Sequence, residues 1–380
     1  MSLNKILFTS ESVGIGHPDK ICDQISDAIL DEFLKKDANS KVAIETVASG
    51  NQVYITGEVN SKANVDYAKI ALDTLYEIDS DYANEDIKVI LNIKKQSPDI
   101  AQGVELSDDE IGAGDQGIMF GYASDETPEY MPLSIVLAHA IVQRANELIK
   151  LGKFKDAKSD MKSQVTIDFS HTKPVIDTVL FSCQHRENFD EKAFKTTIKE
   201  QIIKYVLDRY NLDMPKNILI NPTGRFVIGG IVGDSGLTGR KIIVDTYGGK
   251  AHHGGGAFSG KDATKVDRSA AYMCRWIAKN LVAAGVAKKI EIQVSYTIGI
   301  AKPVSIFVDT FGTGKISDDK IIETINKVFD LRPKAMIKEL DLLKPIYKKT
   351  ACFGHFGRKD IEFPWEKINK VDEIKKLLRI

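Results

Sequence analysis

The feature that most constrains this 380-residue sequence is a pattern of elements that recurs three times along it. Each copy reads as a helix, a pair of strands joined as a hairpin, and a second helix, and the hairpins open near residues 42, 164 and 291. The spacing of about 125 residues predicts three α+β units, each a sheet covered by helices, rather than one large sheet. The copies share the pattern of elements, and no residue identity between them is evident from the sequence.

Composition restricts the classes of function. The chain is longer than one hydrophobic core usually serves, and its 43% hydrophobic and 28% charged residues are typical of a globular enzyme. A net charge of −1 excludes the broad basic surface of a nucleic-acid-binding protein, so any anion site has to be local. No apolar run is long enough for a signal peptide or a membrane span, and the cysteines have no zinc-binding spacing. We therefore expect reduced thiols, a cytoplasmic location and no membrane partner.

A glycine-rich segment, residues 245–268, contains six glycines. It follows a strand-like run, 241–245, and leads into a helical pattern that begins at Val266 and stops at Gly285. Glycine backbone can approach a ligand closely, and a helix N-terminus attracts anions. Lys261 and Lys265 stand where the helix dipole disfavours cations by a few tenths to about 1 kcal/mol each, unless an anion is bound there. We interpret the segment as a polyphosphate site.

Two other interpretations of this segment remain open. Residues 255–261 fit the spacing G-x-x-x-x-G-K of a Walker A loop, but Asp262 stands where that loop needs a Ser or Thr. A carboxylate among phosphates would repel them unless a metal ion intervened. The segment could also be a flexible surface loop before an ordinary helix, with Thr264 and Asp267 as its capping pair.

A second motif, residues 16–20, reads Gly-His-Pro-Asp-Lys and precedes apolar residues at helical spacing. Pro18 suits the first position of a helix and Asp19 is favourable in its first turn, so a purely structural explanation exists. His17 lies on a fixed turn at the same N-terminus, where a second anion or a metal ion could bind. These residues alone support the structural and functional interpretations equally.

Residues 96–110 lack periodicity and contain Pro, Gly and an acidic cluster. A segment of this kind and length is typical of a mobile loop that covers a binding site. Asp115 follows it, between glycines.

Taken together, the motifs resemble the S-adenosylmethionine synthetase (methionine adenosyltransferase) family, bacterial type. The matching segments cover nearly the whole chain and are 10–12, 16–20, 112–117, 221–230, 239–249, 254–262 and 354–358. Three positions depart from the usual pattern: Gly14 and Ile15 replace a polar and then an acidic residue, and Met161 replaces an alanine.

The resemblance implies an α+β fold of three pseudo-symmetric domains, each with a mostly antiparallel sheet covered by helices. On this sequence the parts would be an N-terminal domain (1–98), a mobile gating loop (99–110), a central domain (111–228) and a C-terminal domain (229–380). It also implies a homotetramer made of two dimers, with active sites between the subunits of a dimer.

The reaction that the resemblance implies joins ATP and L-methionine to give S-adenosylmethionine, and then hydrolyses the triphosphate to diphosphate and phosphate. The implied catalytic residues are His17, Lys162, Arg240, Lys261 and Lys265. The implied ATP-binding residues are His17, Asp160, Lys162, Arg225, Phe226, Arg240, Lys241, Ala257 and Lys261, and the implied methionine-binding residues are Glu58, Gln96, Asp115, Asp234 and Lys265. Asp19 and Asp267 would hold two Mg²⁺ ions, and Glu45 would hold K⁺.

These residue types suit that chemistry. A thioether sulfur carries no proton, so it needs no general base to attack C5′ of ATP in line. The site must instead stabilise charge. Lysines, an arginine and Mg²⁺ would stabilise the negative charge of the triphosphate, and the carboxylates of Asp115 and Asp234 would stabilise the positive charge of the sulfonium.

Two other classes of function remain as alternatives. A phosphotransferase or ATPase would turn over ATP without methionine, and a non-catalytic regulator would bind nucleotide without turnover. Asp262 argues against the first, and the paired acids Asp19 and Asp267 argue against the second.

Overall fold

The computed structural model describes residues 5–95, 105–107 and 110–380. Gln96 and most of the predicted gating loop lie outside these ranges. The strands are β1 (Leu7–Val13), β2 (Lys41–Ser49), β3 (Gln52–Asn60), β4 (Lys88–Lys95), β5 (Glu105–Ser107), β6 (Glu110–Ile111), β7 (Gly117–Ser124), β8 (Ala157–Asp168), β9 (Val175–His185), β10 (Asn217–Ile220), β11 (Gly236–Leu237), β12 (Lys289–Tyr296) and β13 (Ser305–Asp309).

The helices are α1 (Pro18–Lys36), α2 (Tyr67–Ile78), α3 (Leu133–Lys150), α4 (Glu191–Thr196), α5 (Tyr205–Arg209), α6 (Gly230–Gly233), α7 (Ile242–Asp245), α8 (Val266–Ala283), α9 (Asp318–Val328), α10 (Pro333–Glu339) and α11 (Val371–Leu378). A wider π-helical stretch, Thr197–Lys204, joins α4 to α5. Short 3₁₀ turns lie at Ser80–Asn84, Lys348–Thr350 and Pro364–Glu366. Among the described helices, none is long and apolar enough to cross a membrane.

Three main sheets form, with strand orders β1-β8-β9-β10, β11-β2-β3-β4 and β13-β12-β7. Neighbouring strands in them are antiparallel, except that β4 is parallel to β3 and β10 is parallel to β9. A long helix precedes the hairpin of each unit (α1, α3 and α8), and a shorter helical segment follows it. The structure therefore confirms the expected α+β fold and its threefold repeat of helix, hairpin and helix.

The three units exchange strands in a closed cycle. Strand β1 precedes α1 of the first unit but pairs with β8 of the second, and β7 precedes α3 of the second unit but pairs with β12 of the third. Strand β11 precedes α8 of the third unit and pairs with β2 of the first. Each unit thus gives one strand and receives another. The domain boundaries at 98, 110 and 228 stay predictions, since each sheet combines strands from two of those segments.

One predicted element is wrong. Residues 241–245 were expected to be a strand, but residues 242–245 form the helical turn α7, in which Asp245 N donates to Lys241 O at 2.9 Å. A short apolar run does not distinguish a strand from one turn of buried helix. The helical turn brings Asp245 to the buried ammonium of Lys20.

Charged side chains of α1 are buried against charged partners from α7 and α8. The guanidinium of Arg268 donates to both carboxylate oxygens of Asp27, at 2.7 and 2.8 Å. Lys20 is fully buried and pairs with Asp23 at 2.9 Å and with Asp245. A buried ion pair gives little net stability, but removal of one partner leaves an uncompensated charge at a cost of about 3–5 kcal/mol. These pairs therefore fix the positions of the segments that carry them.

Polar contacts hold the exchanged strand β1 against α3. Ser10 Oγ lies 2.8 Å from Ser134 Oγ, and Ser12 Oγ lies 2.7 Å from His139 Nδ1, all four side chains being buried. Burial lowers the pKa of His139 to about 3, and the nearby charges of Arg358 and Lys20 act in the same direction. His139 is therefore neutral in the folded protein at neutral pH.

This histidine should make the fold sensitive to acid. The unfolded chain takes up a proton at His139 near pH 6.5 and the folded chain does not, so stability falls as the pH drops from 6.5 towards 3. The contribution of this one group at pH 5 is about 2 kcal/mol. Denaturant unfolding of the His139→Gln variant at pH 7.5 and pH 5 should lose about that much less stability than the wild type. A loss of stability in the variant equal to that in the wild type would contradict the assignment.

Candidate functional site

One group of predicted site residues surrounds the N-terminus of α1. His17 is the N-cap, 3% exposed, and its Nδ1 accepts from Asp19 N at 3.2 Å. Burial lowers the pKa of His17 to about 3, and the positive charges of Lys241 and Lys162 lower it further. The imidazole is therefore neutral and lies among cations, where an anion would be stabilised.

Asp19 lies beside His17 and is 2% exposed. Its Oδ2 accepts from Lys241 Nζ at 2.5 Å, its Oδ1 accepts from Leu237 N at 3.0 Å, and Arg240 Nε is 3.7 Å from Oδ1. Burial alone would raise the pKa of Asp19, but the hydrogen bonds from Lys241 and Leu237 outweigh it, and the pKa is lowered. The carboxylate is charged and each of its oxygens already has a partner.

Three further predicted residues lie in the same neighbourhood. Lys162 pairs with Val13 across the β1–β8 ladder, and Lys162 and Asp234 both act electrostatically on His17. Asp160 is buried and its Oδ2 accepts from Gly230 N at 2.8 Å, while its Oδ1 has no hydrogen-bond partner among the described residues. Burial raises the pKa of Asp160 to about 6. The residues that the fold gathers here are His17, Asp19, Asp160, Lys162, Asp234, Arg240 and Lys241.

A second group lies at the N-terminus of α8. Lys265 is the N-cap of the helix that was expected to begin at Val266, and it pairs with Asp262. Lys261 Nζ donates to Asp267 Oδ2 at 2.6 Å. The alternative in which Thr264 and Asp267 cap the helix is wrong, because Thr264 donates from its N and its Oγ1 to Asp262 and the N-cap has no side-chain capping bond.

Asp262 has a role that the sequence analysis missed. It is 2% exposed, its N donates to Val42 O at 3.0 Å, and its Oδ2 accepts from Val42 N at 2.7 Å. Burial raises the pKa of this carboxyl, but the ammonium of Lys265 and the bonds from Thr264 lower it on balance. The carboxylate therefore binds the glycine-rich segment to β2 and holds Lys265. The available signal was an Asp two residues before a Thr, a spacing at which a carboxylate often accepts from the backbone.

Gly260 is also held in place, so the end of the glycine-rich segment that precedes α8 is not a flexible surface loop. Gly260 N donates to Asp27 Oδ1 at 2.8 Å, and Ile44 N donates to Gly260 O at 3.0 Å. Gly260 has φ +80°, and a Cβ on it would lie 1.9 Å from Ile44 O, so only glycine fits. Gly260 and Asp262 thus hold this end of the segment against β2 by backbone hydrogen bonds.

The N-termini of α1 and α8 correspond residue by residue. The N-caps are His17 and Lys265, the second helical residues are Asp19 and Asp267, and the third are the buried cations Lys20 and Arg268. The third long helix, α3, has Pro132, Ser134 and Ile135 at these positions and lacks the charges. This correspondence was missed in the sequence, because the copies align only when their helix N-caps are known.

The remaining predicted residues have no described hydrogen bond or ion pair with either group. Glu58 faces Ala43 across the β2–β3 ladder, and Ala43 in turn bridges to Lys261, while Glu45 is exposed opposite Thr56. Asp115 is exposed and its Oδ1 accepts from Gln116 N at 2.7 Å. Arg225 pairs with Glu187 at 2.6 Å, Phe226 N donates to His185 Nε2 at 3.0 Å, and Ala257 lies beside Gly239. No described contact joins these residues to the group at α1.

The acidic residues fit a metal ion that arrives with a phosphate ligand. Among the described residues, no group of three or more His, Cys, Asp or Glu side chains could hold a metal ion alone. Asp19 and Asp267 are single carboxylates, each beside lysines. Mg²⁺ in nucleotide sites is commonly bound by one or two carboxylates together with phosphate oxygens, so this donor set suits it.

Two departures from the usual family pattern are in contact with each other. Gly14 N donates to Met161 O at 2.8 Å, and a Cβ on Gly14 would lie 2.4 Å from Met161 Cγ and 2.8 Å from Ser159 O. Met161 is fully buried, and Ile15 is 8% exposed in the core. Gly14, in the turn before His17, is therefore smaller than the usual family residue, and Met161, in the facing strand β8, is larger than the usual alanine.

Comparison with known proteins shows similarity along nearly the whole chain. Models of the N-terminal, central and C-terminal domains of S-adenosylmethionine synthetase match residues 5–98, 110–226 and 228–367. Proteins named S-adenosylmethionine synthase from Mycoplasmopsis synoviae (strain 53) and Mycoplasma mycoides subsp. mycoides SC are 60% and 58% identical, each over 98% of both chains. One of the same name from Clostridium tetani is 55% identical over 98% of this chain and 99% of its own.

The contact of Gly14 with Met161 predicts that substitutions at the two positions are coupled. We expect Gly14→Ala to destabilise the protein by about 1–3 kcal/mol through crowding, and Met161→Ala by about 2–5 kcal/mol through a cavity. The double variant should be more stable than the sum of the two losses predicts, by about 0.5–3 kcal/mol in denaturant unfolding. As a control, Gly50→Ala, whose Cβ would have nothing within 4 Å, should combine additively with Met161→Ala. Additivity in both pairs would refute the contact.

Proposed function

This chain belongs to the S-adenosylmethionine synthetase family and is a methionine adenosyltransferase, and from that premise we propose how its residues carry out the transfer. The methionine sulfur attacks C5′ of ATP in line, triphosphate leaves, and the triphosphate is then hydrolysed to diphosphate and phosphate. The observation that carries this proposal is the position of buried His17 at the N-terminus of α1, next to Asp19 and its partners Arg240 and Lys241.

Binding of the triphosphate would use the cations of both groups. In the α1 group, Lys241 and Arg240 face Asp19, and the positive end of the helix dipole favours an anion in the same place. In the α8 group, Lys261 and Lys265 lie on a segment whose backbone is fixed by Asp27 and Asp262. Arg225, Phe226, Asp160 and Ala257 would complete the nucleotide site. Because these protein groups are already in position, they need little reorganisation when the charge on the triphosphate changes during the reaction.

Stabilisation of charge would supply most of the catalysis. As the C5′–O bond breaks, negative charge develops on the leaving triphosphate, and neutral His17 can donate a hydrogen bond to it without transfer of a proton. The lysines and arginine offset the remaining charge. Mg²⁺ bound by Asp19 and Asp267 would offset part of the phosphate charge as a Lewis acid. The carboxylates of Asp115 and Asp234 would stabilise the sulfonium, with Glu58 and Gln96 beside the methionine.

A second copy of the chain would complete each active site. Glu58, Asp115 and the α8 group make no described contact with the α1 group, although all are assigned to one reaction. Exposed apolar side chains on the sheets, Val47, Ile118 and Phe307, offer a surface for such pairing. We therefore propose a dimer in which the α1 group of one subunit faces the α8 group of the other, and a tetramer of two such dimers.

The remaining expectations from the sequence belong to this proposal. Glu45 would hold K⁺ near the site, two Mg²⁺ ions would serve each site, and residues 99–110 would act as the gating loop. The domains would be 1–98, 111–228 and 229–380. ATP and L-methionine are the proposed partners, with neither nucleic acid nor membrane among them, and the cytoplasm is the proposed location.

The direct test is incubation of the protein with ATP, methionine, Mg²⁺ and K⁺, followed by mass spectrometry. We expect S-adenosylmethionine, diphosphate and phosphate in equal amounts. Phosphate release that does not depend on methionine would instead indicate an ATPase, and tight ATP binding without turnover would indicate a regulator.

Lys265 tests the assignment of the α8 group. Lys265→Ala should lower kcat/KM by at least about 100-fold, because a preorganised cation is lost. Circular dichroism should show a folded variant, with a lower unfolding midpoint because the buried carboxylate of Asp262 loses its ammonium partner. Lys69→Ala is the control, since Lys69 lies in an exposed pair with Asp73. A Lys265→Ala variant with normal kcat/KM would remove this residue from the site.

A further inference from the structure

We propose that two lysine–aspartate pairs, Lys241–Asp19 and Lys261–Asp267, prevent the divalent cation and the polyphosphate from binding separately. Both ligands then enter together, through an exchange of ion pairs. The inference rests on the proposed function, since it takes Asp19 and Asp267 as the metal ligands and the lysines as phosphate ligands.

The first pair is largely shielded from water. Lys241 Nζ lies 2.5 Å from Asp19 Oδ2, and the side chains are 19% and 2% exposed. Leu237 N occupies the other carboxylate oxygen at 3.0 Å. A cation that approaches Asp19 therefore finds no oxygen without a hydrogen-bond partner.

The second pair repeats the lysine–aspartate contact at the corresponding position of α8, with a more exposed carboxylate. Lys261 Nζ lies 2.6 Å from Asp267 Oδ2, with side chains 26% and 20% exposed. In both cases the aspartate is the second residue of a long helix, and the lysine comes from the connection that precedes α8 in the sequence. The same pairing at two equivalent positions indicates a property of the site rather than a chance surface contact.

The charges explain why neither ligand should bind well alone. A divalent cation that displaces the lysine leaves an ammonium beside a dication, with no anion between them. A polyphosphate that attracts the lysine leaves a carboxylate, nearly fully buried in the case of Asp19, without a counter-charge and close to an anion. When both arrive, the carboxylate contacts the cation, the cation contacts the phosphate and the phosphate contacts the lysine, so that every charge has an opposite neighbour.

The third long helix offers an internal comparison. At the position of the two aspartates it has Ser134, whose Oγ lies 2.8 Å from Ser10 Oγ, and Ser10 Oγ donates to Gly248 O at 2.8 Å. The uncharged position is closed by neutral hydrogen bonds and offers neither a carboxylate nor an ammonium. The paired charges therefore occur only at the two positions assigned to metal among the three equivalent helix N-termini.

The test measures binding of Mn²⁺, as a spectroscopic substitute for Mg²⁺, to the full-length protein without nucleotide. Electron paramagnetic resonance of free Mn²⁺ gives the bound fraction with and without inorganic tripolyphosphate, at free Mn²⁺ concentrations corrected for the complex in solution. We expect wild-type protein to bind Mn²⁺ at least about tenfold more tightly with tripolyphosphate, a difference of about 1.4 kcal/mol. In Lys241→Met and Lys261→Met, Mn²⁺ alone should bind more tightly than to the wild type, and the enhancement by tripolyphosphate should shrink.

Lys69→Met removes an exposed lysine from a similar pair on α2 and should match the wild type in both measurements. Circular dichroism of each variant checks that it is folded. The proposal is overturned if wild-type protein binds Mn²⁺ equally well without tripolyphosphate, if it binds none even with it, or if neither lysine variant changes the affinity for Mn²⁺ alone. An assay for S-adenosylmethionine on the same wild-type preparation distinguishes this inference from the proposed function. If product forms but tripolyphosphate does not strengthen Mn²⁺ binding, only this inference is refuted. If no product forms, the proposed function is refuted.

Discussion

The need to pair the charges that are buried along α1 determines much of this structure. Lys20, Asp23 and Asp27 of α1 have no access to water, and their partners Asp245 and Arg268 come from a distant part of the sequence. An unpaired charge in this place would cost several kcal/mol. The segment from Asp245 to Arg268 is therefore restricted to conformations in which both of these residues reach their partners on α1. The glycine-rich segment lies within that stretch, and its close contact with β2 follows from the same constraint.

The cyclic exchange of strands has a related consequence. Since each sheet contains a strand from a neighbouring unit, the three units pack as one body, although the sequence repeats as three. The connections from exchanged strands into long helices are where His17 and Lys265 lie, so the functional side chains occupy junctions between units. Rigid junctions suit a reaction in which stabilisation comes from charges already in position.

The chemistry proposed for this site uses few proton transfers. His17 is kept neutral by burial and by neighbouring cations, while Asp19 and Asp262 are kept charged by lysines. A site of this type differs from one that depends on a general base, because its ionisation states are fixed by pairing.

Much of the local structure followed from the sequence, because it depends on neighbouring residues. The helices that begin at Pro18 and Val266, the three hairpins and the lysines at the N-terminus of α8 were all predicted correctly, since periodicity, Pro and Gly act locally. The family followed from uninterrupted motifs. The run at 241–245 was predicted wrongly because four or five apolar residues fit a strand and a helical turn equally well. Only the tertiary structure decided which unit each exchanged strand joins, that Asp262 faces β2, and that Asp19 and Asp267 occupy equivalent positions with a lysine each. These features depend on contacts between residues far apart in the chain, and no local pattern of the sequence encodes such contacts.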